Sequence, residues 1–297
     1  MPERPTTTLR RLLQGPEILL VPGVADGINA RLAAKEGFKA IYMTGAGTTA
    51  ARLGMPDVGL LTMTEMADNA QRIAEASGLP LIADADTGYG GVVNVRRTVR
   101  AYERAGVAAL HIEDQGWPKR CGHLSGKTVI PVEEMVAKIR AAVDARQDPD
   151  FQIIARTDAV AVEGYEAAIE RARRYEEAGA DILFIEALSD MEHLRAVPKL
   201  FRAPLLYNMA SSGKTPFLPA AEMQELGFRL CIYPNFVVLA AIPAVRRMLR
   251  TLKEQGTPVP MLDEIASFRE FFDLMGMEEV QALEAQYAVS EEARVRY

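Results

Sequence analysis

Short apolar runs recur along the chain, and each is followed by a polar segment and then by a helical pattern of apolar positions. The runs lie at Ile18–Val21, Ala40–Met43, Leu79–Ala83, Ala108–Ile112, Phe151–Ala155, Ile182–Ile185, Pro204–Tyr207 and Arg229–Ile232. Each run is too short for a helix, and most are apolar at successive positions. Because parallel strands covered on both faces have this pattern, the runs predict eight buried strands.

Amphipathic helix patterns fill the intervals between these runs. They cover Ile28–Glu36, Thr64–Ser77, Val93–Ala105, Val132–Ala145, Glu163–Ala178, Met191–Leu200, Ala220–Leu226 and Phe236–Gln255. Several are followed by a glycine, such as Gly78, that can take the left-handed conformation typical of a helix C-terminus. Eight strand–helix units in one chain predict an α/β fold, a (β/α)8 or TIM barrel. A doubly wound open sheet is the structural alternative.

Two more helical patterns follow the eighth unit, around Leu262–Met275 and Met277–Ala293. A closed barrel has no position for them, so they are predicted to pack outside it or against a neighbouring subunit. Apolar side chains such as Phe268 and Phe271 favour burial over exposure. Because no Gly-, Ser- or Pro-rich linker divides the chain, we expect one barrel domain over residues 1–297 with a helical extension from about residue 260.

Composition limits the class of protein. The chain has 297 residues, of which 49% are hydrophobic and 25% charged, as is ordinary for a globular protein. A formal net charge of -6 argues against nucleic acid or an anionic membrane as a partner. Two cysteines give no disulfide framework, the segment Met1–Thr8 is polar, and no apolar window is long enough to span a bilayer. These features predict a soluble cytoplasmic protein.

Acidic side chains follow two neighbouring strands of the predicted barrel. Asp84 and Asp86 follow the third run, Glu113 follows the fourth, and Asp57 is a further candidate. The active sites of such barrels lie at the C-terminal ends of the strands, where these carboxylates would raise one another's pKa unless a cation intervened. Oxygen ligands without paired histidines favour Mg²⁺, with Mn²⁺ as the alternative ion. The alternative for any one of these acids is a helix N-cap.

The segment Lys119-Arg120-Cys121-Gly122-His123 combines two cations, a thiol and an imidazole. Neighbouring positive charge favours the thiolate, so Cys121 is able to give and take a proton near neutral pH. His123 is the better candidate for a functional histidine, whereas His111 is interpreted as a core residue or a residue behind the site. The alternative is a basic surface turn with an incidental cysteine.

Other polar groups follow the remaining predicted strands. Thr44-Gly45-Ala46-Gly47 is a glycine-bearing loop whose N–H groups could bind a carboxylate or phosphate, although such turns often only make a tight bend. Arg156 follows the fifth run and is able to bind a carboxylate or to stabilise an enolate. Glu186 and Asn208 end the sixth and seventh strands.

Together these motifs resemble the isocitrate lyase/phosphoenolpyruvate mutase superfamily over nearly the whole chain. The resemblance is carried by Leu53-Gly54-Met55-Pro56-Asp57, Asp84-Ala85-Asp86-Thr87-Gly88-Tyr89-Gly90, His111-Ile112-Glu113-Asp114-Gln115, residues 119–123, Ile154-Ala155-Arg156-Thr157-Asp158-Ala159, and Asn208 followed by Gly213-Lys214-Thr215-Pro216. It implies a Mg²⁺-dependent enzyme that acts on a small carboxylate through an enolpyruvate-like intermediate. It also implies C-terminal helices swapped between the subunits of a homotetramer, a dimer of dimers.

The resemblance implies roles for individual residues. Cys121 would protonate the departing carbon, Tyr42 is the candidate base, and Arg156 would stabilise the enolate. Asp84 and Asp86 would serve the metal, with Asp57 and Glu113 in its water shell. The alpha-keto acid would be held by the loop residues Thr44, Gly45 and Ala46, and the pocket would be completed by Lys119, Gly122, His123, Glu186 and Asn208.

Within the superfamily the Cys-bearing loop is typical of lyases that cleave a 2-hydroxy acid into an alpha-keto acid and a second carboxylate. Methylisocitrate lyases resemble this chain but carry an arginine after the eighth strand, where Leu239 stands here. Since burying an unpaired carboxylate there would cost several kcal/mol, a methyl- or dimethylmalate is favoured over a tricarboxylate. The alternatives are a carboxyphosphonoenolpyruvate phosphonomutase, an oxaloacetate decarboxylase or hydrolase, and a barrel that only binds a small acid.

Overall fold

The computed structural model describes residues 3–122 and 126–288. The chain divides into two compact units, Met1–Ala240 and Ala241–Tyr297. His123, one of the predicted catalytic residues, lies outside the described residues. The position at which the helical extension was expected to begin, near residue 260, stays a prediction.

The first unit contains eight strands, all parallel, in a nearly closed barrel. The strands are β1 (Leu19–Val24), β2 (Ile41–Met43), β3 (Leu81–Asp84), β4 (Ala109–Glu113), β5 (Gln152–Thr157), β6 (Ile182–Ile185), β7 (Leu206–Asn208) and β8 (Leu230–Tyr233). They are hydrogen-bonded in the order β6-β5-β4-β3-β2-β1-β8-β7. Between β6 and β7 a single parallel bridge joins Leu183 and Leu205. This arrangement confirms the predicted (β/α)8 barrel and is not the doubly wound alternative.

Helices precede, alternate with and follow the strands, and those that lie between two strands in the sequence form the outer layer of the barrel. They are α1 (Pro5–Gln14), α2 (Gly27–Lys35), α3 (Gly45–Leu53), α4 (Met63–Ser77), α5 (Val92–Arg104), α6 (Val132–Ala145), α7 (Tyr165–Glu177), α8 (Met191–Ala196), α9 (Ala220–Leu226) and α10 (Phe236–Gln255). Local chemistry sets their ends. Thr62 and Glu65 make a capping box at the start of α4, and Gly78 ends that helix in the left-handed conformation at φ 65°.

The core has two layers, because successive strand residues point to opposite faces. In β6, Ile182 and Phe184 pack in the barrel interior, while Leu183 and Ile185 pack between the sheet and the helices. Every strand is therefore buried on both sides. This burial is the physical reason for the continuous apolar runs in the sequence.

Two helices in the first unit lie where none was predicted. Leu9 and Leu13 of α1 are buried in the barrel-interior cluster with residues of β1 and β8, so this helix covers the N-terminal end of the barrel. The predicted loop Thr44–Gly47 was wrong as a loop, since Thr44 is the N-cap of α3 and accepts a hydrogen bond from the Gly47 N–H at 3.3 Å. A Thr N-cap offsets the low helix propensity of its glycines.

The second unit continues α10 and contains a 3₁₀ helix (Val259–Glu264), α11 (Phe268–Leu274) and α12 (Met277–Gln286). Helices are present within both predicted patterns, although the first pattern is divided between the 3₁₀ helix and α11, and residues 289–293 of the second lie outside the described residues. The burial expected for the aromatic residues is not seen within one chain. Phe268 is 81% exposed. Swapping of these helices between subunits stays a prediction. Among the described residues, no helix has the length and apolar character needed to cross a membrane.

Candidate active site

The C-terminal ends of the strands surround a cavity of about 40 Å³. Almost all of the residues predicted for the site meet here, although they are far apart in the sequence. The cavity is lined by Tyr42, Thr44, Ala46, Asp57, Asp84, Glu113, Lys119, Arg120, Cys121, Gly122, Arg156, Phe184, Glu186, Asn208, Ala210, Ile232, Pro234 and Asn235. Of the other predicted residues, Gly45 and Asp86 lie directly behind this lining, as described below.

A tight turn after β3 aims two carboxylates at the site. Asp86 has a left-handed backbone conformation (φ 47°), which Asp tolerates better than most residues, and its N–H donates to Asp84 Oδ1 at 2.9 Å. The Glu113 N–H donates to the carbonyl oxygen of Asp86 at 2.9 Å, which ties the turn to β4. All three carboxylates are buried. The acids predicted from the strand ends are therefore brought together.

Lys119 lies between two of the acids. Its Nζ is 2.5 Å from Asp57 Oδ1 and 2.5 Å from Asp86 Oδ1, and its side chain is 2% exposed. Although burial opposes ionisation of the amine, Asp86 and Glu113 raise the pKa of Lys119 well above its usual value. The lysine is therefore protonated, and it compensates part of the negative charge in the cluster.

Lys119 and Arg156 do not compensate all of the negative charge on the carboxylates of the cluster. Burial raises the pKa of Asp86 to about 7 and raises that of Glu113 well above its ordinary value. Glu113 Oε1 is buried and has no hydrogen-bond partner among the described residues. A bound cation would relieve both features, so this set of oxygen donors fits Mg²⁺.

The geometry also limits how such an ion would be held. Within the described part of the chain, no group of three or more His, Cys, Asp or Glu side chains is arranged to bind one ion directly. The residues fit an ion that keeps several water ligands and takes one or two carboxylates, which is how Mg²⁺ is commonly bound. Asp84 and Asp86 are the candidates for direct ligands, and Asp57 and Glu113 the candidates for contacts through water.

Arg156, at the end of β5, has three acidic partners. Its Nε donates to Asp158 Oδ2 at 2.9 Å, its Nη1 lies 3.1 Å from Glu113 Oε2, and its Nη2 lies 3.3 Å from Glu186 Oε2. The guanidinium also lies 5.0 Å from the centre of the Phe184 ring. The group is buried and fixed by these contacts, so it presents a permanent positive charge to the cavity.

The loop between β4 and α6 (residues 114–131, described except for 123–125) covers the cavity. Its Cys121 is half-buried and lines the cavity, and the Cys121 N–H donates to the Asp57 carbonyl oxygen at 3.3 Å. Gly122 packs directly on the barrel end. A Cβ atom at this position would lie 2.3 Å from Arg156 Nη2 and 2.8 Å from Glu186 Oε2. The loop backbone can therefore lie this close to the guanidinium only because residue 122 has no side chain.

Tyr42 and His111 form a buried pair. Tyr42 Oη is 2.9 Å from His111 Nε2. His111 is fully buried, which agrees with its interpretation from the sequence as a core residue or a residue behind the site. Burial lowers the pKa of His111 to about 4, so the imidazole is neutral near pH 7. Burial also raises the pKa of Tyr42 well above its usual value. The phenol is therefore protonated in the free protein.

The N-terminus of α3 points at the cavity. Thr44 Oγ1 donates to Asn235 Oδ1 at 2.9 Å, and both residues line the cavity together with Ala46. Gly45 has no room for a side chain, since a Cβ atom would lie 2.4 Å from Asp84 Oδ2. The first N–H groups of a helix have no partner within the helix and favour anions. This turn is therefore suited to a carboxylate.

Glu186 and Asn208 form the opposite wall. Asn208 Nδ2 donates to Glu186 Oε1 and Oε2 at 3.2 and 3.0 Å. The sequence did not indicate that Phe184 and Asp158 belong to the site. An aromatic residue in a strand is expected in the hydrophobic core, and the sequence of a motif does not show which cation an acid within it binds. Leu239 does not line the cavity and is 42% exposed, so the structure does not support an argument about substrate size from this residue.

The sequence matches the family model described as phosphoenolpyruvate phosphomutase over residues 9–253. The chain is 47% identical over 280 residues to 2,3-dimethylmalate lyase of Eubacterium barkeri, covering 94% of this chain and 97% of that protein. It is 46% identical over 284 residues to 2-methylisocitrate lyase of Aeropyrum pernix, covering 96% of this chain and 91% of the relative.

Solved structures give the same relationship. The crystal structure of a 2,3-dimethylmalate lyase, a member of the phosphoenolpyruvate mutase/isocitrate lyase superfamily, superimposes with a TM-score of 0.92 at 42% identity and covers 100% of both chains. A phosphonopyruvate hydrolase solved with oxalate and Mg²⁺ superimposes with a TM-score of 0.88 at 31% identity, covering 97% of this chain and 100% of that one. The predicted superfamily resemblance is confirmed.

Proposed function

The chain belongs to the phosphoenolpyruvate phosphomutase family, and we propose that it is a Mg²⁺-dependent carbon–carbon lyase that cleaves a 2-hydroxy di- or tricarboxylate into an alpha-keto acid and a second carboxylate. One observation carries the proposal: a carboxylate cluster, a buried guanidinium and a loop thiol line the same cavity. The similarity to 2,3-dimethylmalate lyase and 2-methylisocitrate lyase supports a carbon–carbon lyase of the superfamily.

The carboxylates Asp84 and Asp86 would hold Mg²⁺, with Asp57 and Glu113 contacting its water ligands. When bound, the ion supplies a Lewis acid that polarises the oxygen atoms on the reacting carbon and compensates the charge of the acids. The rest of the chemistry belongs to the protein. The substrate carboxylate would lie at the N-terminus of α3, whose Thr44 and Ala46 line the cavity and whose first N–H groups favour anions.

Cleavage needs one proton removed and one proton returned. The 2-hydroxyl loses its proton, the C2–C3 bond breaks, its electron pair forms an enolate on the second carboxylate, and C3 then takes a proton. We assign the first transfer to Tyr42, which would lose its own proton to solvent once a bound cation offsets the nearby carboxylates, while the neutral His111 orients the phenol through its 2.9 Å contact at Nε2. Arg156 would stabilise the enolate charge, and the Cys121 thiol would donate the proton to C3.

The loop must move for substrate to enter. A cavity of about 40 Å³ is far smaller than ligand pockets of roughly 300–1,000 Å³. Its loop-side lining includes Cys121 and Gly122. We infer that the β4–α6 loop opens to admit substrate and closes to exclude water, which keeps the enolate from stray protonation.

The cavity has an apolar side that includes Ala210 and Ile232. This side, together with the similarity to a dimethylmalate lyase, supports a methylated 2-hydroxy dicarboxylate as substrate. The phosphonomutase and oxaloacetate-acting alternatives use the same carboxylate and guanidinium groups. A phosphonomutase differs in needing no acid that protonates a departing carbon, so the role of Cys121 separates it from the lyase. An oxaloacetate decarboxylase or hydrolase also leaves a carbon that must take a proton, so the substrate that is turned over separates it from the lyase.

We propose that the active form is a homotetramer, a dimer of dimers, located in the cytoplasm. The support is the apolar surface of the second unit in a single chain, where Leu249, Leu262, Phe268 and Tyr287 are all exposed. Apolar surface of this extent is typical of a protein interface. Mass measurement in solution by light scattering tests the assembly, and a monomer would contradict it.

A thiol substitution tests the proposed function. We expect Cys121→Ser to lower kcat by about 10²–10⁴, the usual contribution of a positioned acid. The matched control is Cys231→Ala, since Cys231 is fully buried in β8 and burial raises the pKa of its thiol to about 12. The control should stay within about threefold of wild type. Unchanged turnover in Cys121→Ser would contradict the acid assignment.

A further inference from the structure

Lys127 connects the covering loop to the barrel. Its side chain is 2% exposed, although the residue as a whole is half-buried, and its Nζ lies 2.7 Å from Asp158 Oδ1. The same Nζ donates to the carbonyl oxygen of Gly122. One ammonium group therefore binds both the segment that carries the thiol and an acid at the end of β5.

Asp158 is shared between this lysine and the guanidinium. Arg156 Nε donates to Asp158 Oδ2 at 2.9 Å and Arg156 Nη2 donates to Oδ1 at 3.1 Å. The Asp158 carboxylate is fully buried, and the backbone N–H of this residue donates to Asp114 Oδ1 at 2.9 Å. Asp158 is therefore rigidly placed, and its Oδ1 accepts from both cations.

The contacts form a closed ring. Lys127 binds Asp158 and the Gly122 carbonyl, Asp158 binds Arg156, and the Gly122 backbone packs against Arg156, where a Cβ atom would lie 2.3 Å from Nη2. The ring can exist only while the loop covers the cavity, because two of its four members lie on the loop. Cys121 is the residue next to Gly122, so the ring also sets the position of the thiol.

The charges of the ring also affect the position of Arg156. The guanidinium faces Glu113 and Glu186 as well as Asp158. With Lys127 in place, Asp158 has a second cation, and Arg156 is held between three acids. Without Lys127, the buried carboxylate of Asp158 would depend on Arg156 alone and draw it away from the cavity.

We propose that Lys127 is a positioning residue that latches the loop through Asp158 and thereby places both the Cys121 thiol and the Arg156 guanidinium. This inference rests on the proposed function and deepens it, because it names what couples loop closure to the reacting groups. Lys127 does not line the cavity and acts only through these two residues.

The test compares Lys127→Met with wild type by two readouts. Hydrogen exchange of the loop peptide that contains Trp117 reports closure without any turnover, and steady-state kinetics give kcat and KM separately. Lys199→Met, on an exposed lysine, is the matched control. We expect at least tenfold faster exchange in the loop for Lys127→Met. A misplacement of about 1 Å can cost 10²-fold in rate, so kcat should fall at least tenfold, with a smaller change in KM.

Two further variants of Lys127 separate the effect of its charge from an effect on folding. Lys127→Arg keeps the charge and should recover most of the protection from exchange, while Lys127→Gln gives the same comparison if the Met variant does not fold. Loop exchange equal to wild type in Lys127→Met overturns the latch, and faster exchange with unchanged kcat overturns the coupling. If wild type cleaves no hydroxy acid, the proposed function fails, and exchange alone then decides the latch.

Discussion

Replacing Lys119 by methionine removes the cation between two buried carboxylates. Each Nζ–Oδ1 distance, to Asp57 and to Asp86, is 2.5 Å. At an effective dielectric constant of about 20, Coulomb's law gives ~6–7 kcal/mol per pair as a gross attraction. Most of this is offset by desolvation, and removing one partner of a buried pair typically costs about 3–5 kcal/mol. We expect the free energy of unfolding of Lys119→Met to fall by about this amount.

The pH dependence distinguishes this cause from lost packing. The pKa of Asp86 is already raised to about 7, and loss of Lys119 raises it further. Below that pKa Asp86 is protonated, and the missing cation costs only its pair with Asp57. Above it the variant must bury an ionised acid. The loss of stability should therefore be larger at about pH 8 than at about pH 5.

Thermal unfolding in the presence of a chelator, at both pH values, measures the difference. For a domain of this size, about 3–5 kcal/mol corresponds to a midpoint lowered by roughly 6–20 °C. Lys199→Met, on the surface, is the control and should stay within about 0.5 kcal/mol of wild type. A loss below about 1 kcal/mol, or an equal loss at both pH values, would refute the electrostatic account of this cluster.

Three further predictions follow from the site. Because the folded pKa of Asp86 is raised to about 7, the metal-free protein loses stability as pH rises from about 4 to about 7. Mg²⁺ should therefore raise the melting temperature more above pH 7 than below pH 5, and an equal shift in calorimetry would contradict it. Gly45→Ala should weaken Mg²⁺ binding at least tenfold by calorimetric titration, since its Cβ would lie 2.4 Å from Asp84 Oδ2; unchanged affinity would refute this. Arg156→Lys keeps the charge but loses the fork to Asp158, so kcat should fall about 10²-fold, and a change below threefold would contradict the role of the guanidinium.

The sequence pattern was sufficient to predict most of the barrel, because its strands are buried on both faces and each appears as a continuous apolar run. Ile182–Ile185 has the same bounds in the sequence prediction and in β6. The pattern was not sufficient for α1, whose Leu9 and Leu13 cover the end of the barrel. Leu9, Leu12 and Leu13 have the spacing of one helix face, but they fill barely one turn, and so short a pattern is weak evidence of a helix until the cavity that it fills is known.

The residues of the site were predictable where a polar side chain stands directly at the end of a predicted strand. Asp84, Glu113 and Arg156 all stand at strand ends and meet in the cavity. The pairing of Lys127 with Asp158 was not predictable, because the two residues are far apart in the sequence and only the closed loop brings them together. Gly45 was interpreted as a turn residue, whereas its lack of a side chain makes room for the Asp84 carboxylate.

The most direct test of the central claim is the release of pyruvate from a panel of 2-hydroxy di- and tricarboxylates by the wild-type protein, with and without Mg²⁺. We predict that a methylated malate such as 2,3-dimethylmalate yields one keto acid and one second carboxylate per molecule cleaved, and that a chelator abolishes the reaction. Turnover of only a phosphonate or only oxaloacetate, with no hydroxy acid cleaved in the presence of Mg²⁺, would contradict the lyase assignment.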